Sequence, residues 1–267
     1  MKLQKLISKL EKHHKKKLDL SLGRTFNLLK KLGNPQDKLK NVITVVGTNA
    51  KASMCYSLKS ILNQGGYKTN LYTSPHLLSY TERYVFEDKE INEEDLIELL
   101  TDVEKTLGDD NATLFEILTC AFLKYAENFK DNINIIEAGL FHQFDSTNVF
   151  KGNLMTLIGV IHNDHFQWLE NKSIEGVIYE KTAKLLNSNI FINKQVNNEI
   201  RDKIEKSLEK NTSNKYFFGK DFNIVKSENG FIHYQDQLGE FLLPEPNILG
   251  DHQLYNISTS IAASRKI

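Results

Sequence analysis

The sequence has little cysteine and no long apolar run. Its 267 residues include two cysteines, Cys55 and Cys120, and both lie within apolar helical patterns. Cysteines in such patterns are expected to be small buried side chains. Two of them do not form a disulfide framework, and they do not indicate a cysteine metal site. No segment approaches the roughly 18 apolar residues that a membrane span needs, and the N-terminus alternates lysine with leucine and isoleucine. We therefore expect a cytoplasmic protein without a membrane partner.

The chain also lacks net charge, internal repeats and low-complexity segments. Lysine plus arginine number 34, as do aspartate plus glutamate, but residues 1–40 carry twelve of the cations and only three acids. A basic arm can bind nucleic acid. Here, however, Leu3, Leu6, Ile7 and Leu10 recur at helical spacing. The lysines around them are therefore more simply the solvated side of an amphipathic helix: Lys2, Lys5, Lys9, Lys12 and Lys15 to Lys17. We predict no nucleic-acid partner and a monomer.

A candidate phosphate-binding loop lies between Val42 and Ser53. The first five residues of this stretch are β-branched and indicate a short buried strand, and Gly-Thr-Asn-Ala-Lys-Ala-Ser then opens a helical pattern. Backbone N–H groups at a helix start, together with the cation of Lys51, favour a nucleotide phosphate. The usual glycine before the lysine is Ala50 here, and Ala52 follows. An ordinary strand-to-helix turn is the alternative interpretation.

Strands and helices alternate along most of the chain. A helical hairpin, with its second helix at Leu18 to Leu32, precedes the first strand. The patterns then predict an α/β fold: a P-loop parallel sheet flanked by helices, with a small antiparallel β meander near its end. Strands are expected at 42–46, 67–73, 133–136, 154–161 and 190–192, and helices at 53–63, 93–107, 113–129, 173–186 and 255–263. The meander is assigned to four short runs at 216–218, 222–225, 231–234 and 241–243.

Four polar residues follow predicted strand ends. They are Lys51, Ser74, Glu137 and His165. Because ligands of parallel sheets bind at the carboxyl ends of the strands, one cleft can collect these four side chains. Taken singly, each has an ordinary interpretation, such as a turn hydroxyl for Ser74 and a hydrogen-bonded histidine for His165.

Eight stretches together resemble the bifunctional dihydrofolate synthase/folylpolyglutamate synthase family of the Mur-ligase superfamily. They match in order and rough spacing, and they are Gly47-Thr-Asn-Ala-Lys-Ala-Ser53, Tyr72-Thr-Ser-Pro-His-Leu77, Leu114-Phe-Glu-Ile-Leu-Thr119, Ile136-Glu-Ala-Gly-Leu140, Asp145-Ser-Thr-Asn-Val149, Asp164-His165, Glu180-Lys181 and Gly250-Asp-His-Gln-Leu-Tyr-Asn256. The resemblance implies an ATP-dependent amide ligase. A dihydropteroate or reduced-folate carboxylate attacks the γ-phosphate of ATP, and the amino group of L-glutamate then takes the acyl group from the acyl phosphate.

The resemblance also implies roles for individual residues. Asn49, Ala50, Lys51, Ala52 and Ser53 would hold the ATP phosphates, and Ser74, Glu137 and His165 would bind Mg²⁺. In similar enzymes the lysine that matches Lys181 is carbamylated and helps a second magnesium ion; a surface ion pair with Glu180 is the alternative. The catalytic set is thus Lys51, Glu137, His165 and Lys181.

Substrate and nucleotide contacts follow from the same resemblance. For the pterin end it indicates Ser21, Leu22, Gly23, Arg24, Phe115, Glu116, Phe144, Asp145 and Ser146, with Phe115 stacking on the ring and Asp145 hydrogen-bonding its edge. Phe115 and Asp145 are equally typical of core or loop residues. His252 and Asn256, four residues apart on one helical face, are expected to contact the base or ribose, Asn256 in particular.

The sequence departs from the family in two places. Where the family has Gly-Gly-Arg, this chain has Phe141-His142-Gln143, so a fixed guanidinium is absent. The family also has a further C-terminal α/β domain, before which this sequence stops. We expect a helical hairpin at 1–40, an ATP-binding central domain at 41–245, and a linker with the start of the missing domain at 246–267. These residues alone are expected to bind ATP and Mg²⁺ weakly without turnover.

Two other functions stay open. One is a different Mur-type ligase that joins another carboxylate to another amino acid, and the other is a non-catalytic nucleotide-binding paralogue. The sequence does not separate a synthase from a polyglutamylase.

Overall fold

A computed structural model describes residues 2–13, 21–169, 171–226 and 230–267. Its centre is an eight-stranded sheet with the order β4-β3-β2-β5-β1-β6-β7-β8. The strands are β1 Asn41–Val46, β2 Thr69–Tyr72, β3 Tyr84–Phe86, β4 Lys89–Glu90, β5 Ile133–Glu137, β6 Met155–Ile158, β7 Asn189–Ile192 and β8 Lys215–Phe217. From β2 to β8 in this order, neighbouring strands are parallel, and β3 and β4 add an antiparallel edge beside β2.

Helices cover both faces of the sheet. They are α1 Lys2–His13, α2 Gly23–Lys31, α3 Lys51–Gln64, α4 Glu93–Leu107, α5 Leu114–Ala126, α6 Ile174–Thr182, α7 Asn198–Ser207 and α8 Asp251–Ser264. A small antiparallel sheet consists of β9 Phe222–Lys226, β10 Phe231–Asp236 and β11 Gly239–Pro244. The predicted α/β class with a mainly parallel sheet is confirmed.

Side-chain alternation in β1 explains the two layers. Val42 and Val46 point to one face, where they pack with α1, α2, α4 and α5 and with α6 and α7, respectively. Ile43 and Val45 point to the other face, against α3, α8 and the small sheet. Since β1 is buried on both sides, an almost continuous β-branched run is the expected sequence for a central parallel strand.

Two parts of the predicted sheet differ in the structure. The run at 216–218 was assigned to the meander, but β8 pairs with β7 in parallel and extends the main sheet, so that assignment is wrong. The β3–β4 hairpin after Pro75 was not predicted. Its short strands follow a loop and a 3₁₀ turn, and strands of two and three residues carry too little alternation to be recognised.

Both ends of the chain pack onto the central sheet layers. Leu18, Leu20 and Lys15 to Lys17 lie outside the described residues, so only the two flanking helices of the predicted hairpin can be placed. Near the other end, α8 packs against α3, and the Ser260 hydroxyl donates to the Met54 carbonyl at 3.1 Å. Within the described ranges, no helix is long and apolar enough to cross a membrane.

Candidate active site

The β1–α3 loop passes very close to the end of β6. Gly47 has φ +148°, and a Cβ placed on it would lie 3.0 Å from the Gly159 Cα. A Cβ on Gly159 would lie 2.4 Å from the Asn49 carbonyl oxygen. Only glycine fits at both positions, because any side chain would push the two backbones apart.

Hydrogen bonds fix this loop on the residue after Gly159. The N–H groups of Thr48 and Asn49 both donate to the Val160 carbonyl, at 2.8 and 3.1 Å. The Asn49 side-chain amide lies 2.8 Å from His162 Nε2, a contact that sequence reasoning missed because His162 had no assigned role. The backbone N–H of Asn49, one of the predicted phosphate-binding residues, is therefore bonded to a carbonyl of the protein.

The backbone N–H groups that can bind an anion follow the loop, in the first turn of α3. N–H groups in a first turn have no carbonyl partner four residues back within the helix, and they carry the positive end of the helix dipole. Lys51, Ala52 and Ser53 occupy that turn. Ala50 precedes it with φ 73° and ψ −10°, a left-handed conformation that costs an L-residue roughly 1–2 kcal/mol. The turn has the form of an anion site.

Lys51, Ser74 and Glu137 come together beside this turn. The Lys51 ammonium donates to the Thr48 carbonyl at 3.2 Å and lies 3.9 Å from Glu137 Oε1. Glu137 ends β5 and is buried, and its Oε2 accepts the Ser74 N–H at 2.9 Å. Burial raises the pKa of the Glu137 carboxyl to about 7, against the lowering effects of the Ser74 N–H and the Lys51 charge. This carboxyl therefore titrates near neutrality.

Lys181 reaches the same loop from α6. It is 2% exposed, so the surface ion pair considered from the sequence does not describe it. Its ammonium donates to the carbonyls of Gly47 at 3.0 Å and Leu140 at 2.8 Å. Burial, and then the charge of Lys51, lowers the pKa of Lys181 to about 7. A neutral amine is thus a large fraction of this group near pH 7, which is the form that reacts as a nucleophile.

His165 contacts Asp164 and Phe141. Its backbone is left-handed, with φ 53°, and its Nε2 lies 3.2 Å from Asp164 Oδ2. The ring meets Phe141 edge-on, with centroids 6.3 Å apart, and Lys181 Nζ lies 5.5 Å from the centroid of the same Phe141 ring. Phe141 thus contacts both His165 and Lys181.

The donor set suits magnesium only with help from a ligand. Among the described residues, no group of three or more His, Cys, Asp and Glu could hold a metal ion. Mg²⁺ is usually bound by one or two carboxylates, waters and substrate phosphates. Glu137 Oε1, which does not receive the Ser74 N–H, lies 3.9 Å from the Lys51 ammonium at the phosphate-type turn, and Ser74, whose N–H binds Oε2, carries a hydroxyl oxygen. The residues present therefore fit a magnesium ion that is shared with a bound phosphate.

Asp145 organises the loop after β5. Its Oδ2 accepts the N–H groups of Gly139 at 3.0 Å and Leu140 at 3.2 Å, and its Oδ1 accepts the Thr147 N–H at 3.0 Å and hydroxyl at 2.6 Å. Burial raises its pKa even against these bonds. Both oxygens of the carboxylate are therefore bonded within the loop. Phe115 packs closely on the same loop, because a Cβ added to Gly139 would lie 2.7 Å from its ring.

The other predicted substrate residues surround this loop. Glu116 accepts the Thr113 N–H at 2.6 Å in the capping box of α5, whose N-cap residue is Thr113, and pairs with Arg24 of α2 at 3.0 Å. Ser21, Leu22 and Gly23 directly precede Arg24 at the start of α2, which shares a core cluster with α5. The Ser146 hydroxyl is buried and donates to the Thr119 hydroxyl at 2.9 Å, whereas Phe144 is partly exposed.

No family model matches the chain. The dihydrofolate synthase/folylpolyglutamate synthase of Escherichia coli is 35% identical over 163 residues, which is 61% of this chain and 38% of that protein. The Bacillus subtilis protein of the same name is 36% identical over 169 residues, again 61% of this chain and 39% of the relative. A solved structure of E. coli FolC superposes with a TM-score of 0.86 and 27% identity, over 98% of this chain and 62% of that one.

The resemblance to the dihydrofolate synthase/folylpolyglutamate synthase family is confirmed. An apo structure of L. casei FPGS agrees in fold, with a TM-score of 0.88 at 23% identity. The match with the two curated relatives spans about two fifths of their length.

The clearest departure from this family surrounds Lys181. Phe141 and His142 are both buried, and His142 N–H and Gln143 N–H donate to the Glu180 carbonyl at 3.1 and 3.0 Å. Burial, with Lys181 second, lowers the pKa of His142 to about 4, so the imidazole is neutral at pH 7. Phe141 and His142, in the segment where the resemblance implies an arginine, are thus buried and uncharged near Lys181.

The structure does not place His252 and Asn256 on a common exposed surface. His252 is exposed at the start of α8, and Asn256 is 3% exposed. The Asn256 Oδ1 accepts from Asn193 Nδ2 at 2.7 Å, and its Nδ2 donates to Gln253 at 3.0 Å. Sequence reasoning missed Asn193 and Gln195, because single amides after a strand end carry no motif.

Proposed function

We propose that this chain provides the nucleotide-binding part of an ATP-dependent ligase that joins L-glutamate to the carboxylate of dihydropteroate or a reduced folate. The observation that carries the proposal is the cluster around the β1–α3 loop: Lys51 in the first turn of α3 lies beside Glu137, Glu137 accepts the Ser74 N–H, and Lys181 donates to the Gly47 carbonyl. The curated relatives are named for this activity, and the E. coli FolC structure is a complex with DHPP and ADP. The three-part division at residues 40 and 245 belongs to the proposal.

The first step transfers the γ-phosphoryl group. A carboxylate oxygen of the folate substrate forms a bond to the γ-phosphorus while the bond to the β–γ bridging oxygen breaks, which gives an acyl phosphate and ADP. The first-turn N–H groups of α3 and the Lys51 ammonium would hold the β- and γ-phosphates and offset the spreading charge. Ser74, Glu137 and His165 would hold a magnesium ion, which supplies charge neutralisation for the phosphates when bound.

The second step forms the amide. The amino nitrogen of glutamate attacks the acyl carbon, inorganic phosphate leaves, and the nitrogen loses a proton. The roles of Asn49, Ala50, Ala52 and Ser53 at the phosphates, of Asn256 and His252 at the base or ribose, and of Ser21 to Arg24, Phe115, Glu116 and Phe144 to Ser146 at the pterin end are part of this proposal.

Lys181 would carry a carbamate in the active state. Its buried amine with a pKa of about 7 supports the proposal, since CO₂ reacts with the neutral amine. A carbamate keeps one N–H, so one of the present bonds to Gly47 and Leu140 would be retained. Protein equilibrated with ¹³C-bicarbonate should give a carbamate carbon signal that is absent from the Lys181→Met variant.

Two experiments test the proposed function. Titration calorimetry with ATP and Mg²⁺ should show binding to the 267-residue chain, and a Lys51→Met variant should weaken it at least tenfold; absence of heat at millimolar nucleotide would contradict the phosphate site. ADP release by the protein isolated from its source, with dihydropteroate and glutamate or with tetrahydrofolate and glutamate, then separates synthase from polyglutamylase. If no ADP is released with either substrate pair, another Mur-type ligase or a non-catalytic paralogue is favoured.

A further inference from the structure

A buried amide, Gln195, lies beyond the end of β7. Its Oε1 accepts the Ile161 N–H at 2.9 Å, and its Nε2 donates to the carbonyls of Gly159 at 3.0 Å and Asn193 at 2.8 Å. All three bonds are buried. One side chain therefore holds both sides of the segment 159–161, which continues from β6.

That segment accepts the N–H groups of the loop residues Thr48 and Asn49. Both N–H groups converge on the Val160 carbonyl, and the Gly159 backbone lies directly against the Asn49 carbonyl. Val160 lies between Gly159 and Ile161, the two residues of this segment whose backbones bond Gln195. A shift of 159–161 would therefore move the loop that opens α3.

We propose that Gln195 is a positioning residue for the phosphate-binding loop, which acts through the backbone of Gly159 to Ile161. The inference rests on the proposed function for the meaning of the loop as a phosphate site, but the mechanical link stands on the contacts alone. A primary amide suits the task because it donates and accepts from one planar group. Glutamate lacks the donor when it is ionised, and an apolar residue leaves three buried backbone groups unpaired.

The same amide connects the loop with α8. Gln195 Nε2 donates to the Asn193 carbonyl, and the Asn193 side chain donates to Asn256 Oδ1. Asn256 in turn is fixed by Gln253. The amide network thus fixes two elements assigned to the nucleotide, the phosphate loop and Asn256, relative to each other.

The test uses the whole chain with the variants Gln195→Met and Gln195→Glu. Thermal unfolding first selects conditions where each variant is folded. Calorimetry with ATP and Mg²⁺ should then show at least about fivefold weaker binding than wild type for both variants at pH 8. For Gln195→Glu the ratio should fall to about twofold at pH 5, because burial raises the pKa of the new carboxyl and its protonated form donates one bond.

Amide exchange provides a readout that needs no nucleotide. The N–H groups of Thr48 and Asn49 should exchange at least about fivefold faster in Gln195→Met than in wild type. Asn134→Asp is the matched control: it changes another buried amide in the same sheet, near the amino end of β5, where Asn134 bonds Asn70 and Asn132. It should lower stability but leave both loop exchange and ATP affinity at wild-type values.

The outcomes separate the two proposals. Wild-type exchange at Thr48 and Asn49 in a folded Gln195→Met variant, or wild-type ATP affinity of that variant, overturns the positioning role. If Asn134→Asp changes loop exchange as much as Gln195→Met does, the effect is general destabilisation and the role is equally overturned. Failure of the wild-type chain to bind ATP overturns the proposed function, while the exchange measurement still decides the role of Gln195.

Discussion

Glycine at Ala50 is expected to raise stability relative to glycine at Ala52. Ala50 has φ 73° and ψ −10°, whereas Ala52 is the second residue of α3. Relief of the left-handed strain at Ala50 should return roughly 1–2 kcal/mol. The Ala50 methyl is half-buried against the core under α3, and its loss forfeits about 0.4 kcal/mol, half of the value for a fully buried carbon.

The comparison between the two variants isolates this strain. Each alanine-to-glycine change adds the same backbone freedom to the unfolded chain, so that contribution cancels in the difference. The free energy of unfolding of Ala50→Gly should therefore be about 1 kcal/mol higher than that of Ala52→Gly. This difference corresponds to about 2–4 °C in melting temperature for a chain of this size.

Denaturant unfolding of both variants and the wild type measures the difference directly. ATP affinity, measured in parallel, should be unchanged or improved in Ala50→Gly and in the double variant, because the loop backbone keeps its conformation. A lower midpoint for Ala50→Gly than for Ala52→Gly would refute the strain argument. Markedly weaker ATP binding by the double variant would show that this loop does not hold phosphate through its present backbone.

Three further predictions concern buried ionisable groups. The pKa of Glu137 is raised to about 7, so the folded state binds more protons than the unfolded state between pH 4.5 and 7, and stability should fall across that window by up to about 3 kcal/mol; unfolding free energies of Glu137→Gln should lack this fall. The pKa of Lys181 is lowered to about 7, so the unfolded state binds more protons between pH 7 and 10.5 and stability should rise there; Lys181→Met should abolish the rise in the same measurement. Asp145→Asn replaces one acceptor oxygen by a donor that faces either the Thr147 donors or the Gly139 and Leu140 N–H groups, and denaturant unfolding should show a loss of about 2–4 kcal/mol. Unchanged unfolding of that variant would mean that the carboxylate does not hold the loop.

The order of the main strands and helices could be predicted because each has a strong period. Helix α4 begins directly after Asn92, as predicted, and Asn92 Oδ1 accepts the Asp95 N–H at 2.8 Å. Strand β8 was misassigned because three residues with one buried side chain look alike in a parallel edge and in a meander. Pairing partners are set by tertiary contacts, which a run of that length does not encode.

Within the site, residue types could be predicted but their partners could not. The sequence indicated that Lys51, Ser74 and Glu137 would lie at strand ends, and the structure brings these three together. It could not indicate that Thr48 and Asn49 use their N–H groups on Val160, since a backbone carbonyl has no sequence signature. The four-residue spacing of His252 and Asn256 also could not indicate that His252 is exposed while Asn256 is buried.

The segment Phe141-His142-Gln143 changes how the missing arginine should be understood. From the sequence, its absence meant one fixed cation fewer near the phosphates. In the structure, Phe141 is buried and contacts both Lys181 and His165, and His142 is neutral near the lysine. An arginine in this segment would add another positive charge near Lys181 and would lower the pKa of the lysine further by like-charge repulsion. Burial and, second, the charge of Lys51 are enough to lower the pKa of Lys181 to about 7 without it. The segment therefore contributes no charge of its own, and burial leaves the Lys181 amine partly neutral at physiological pH.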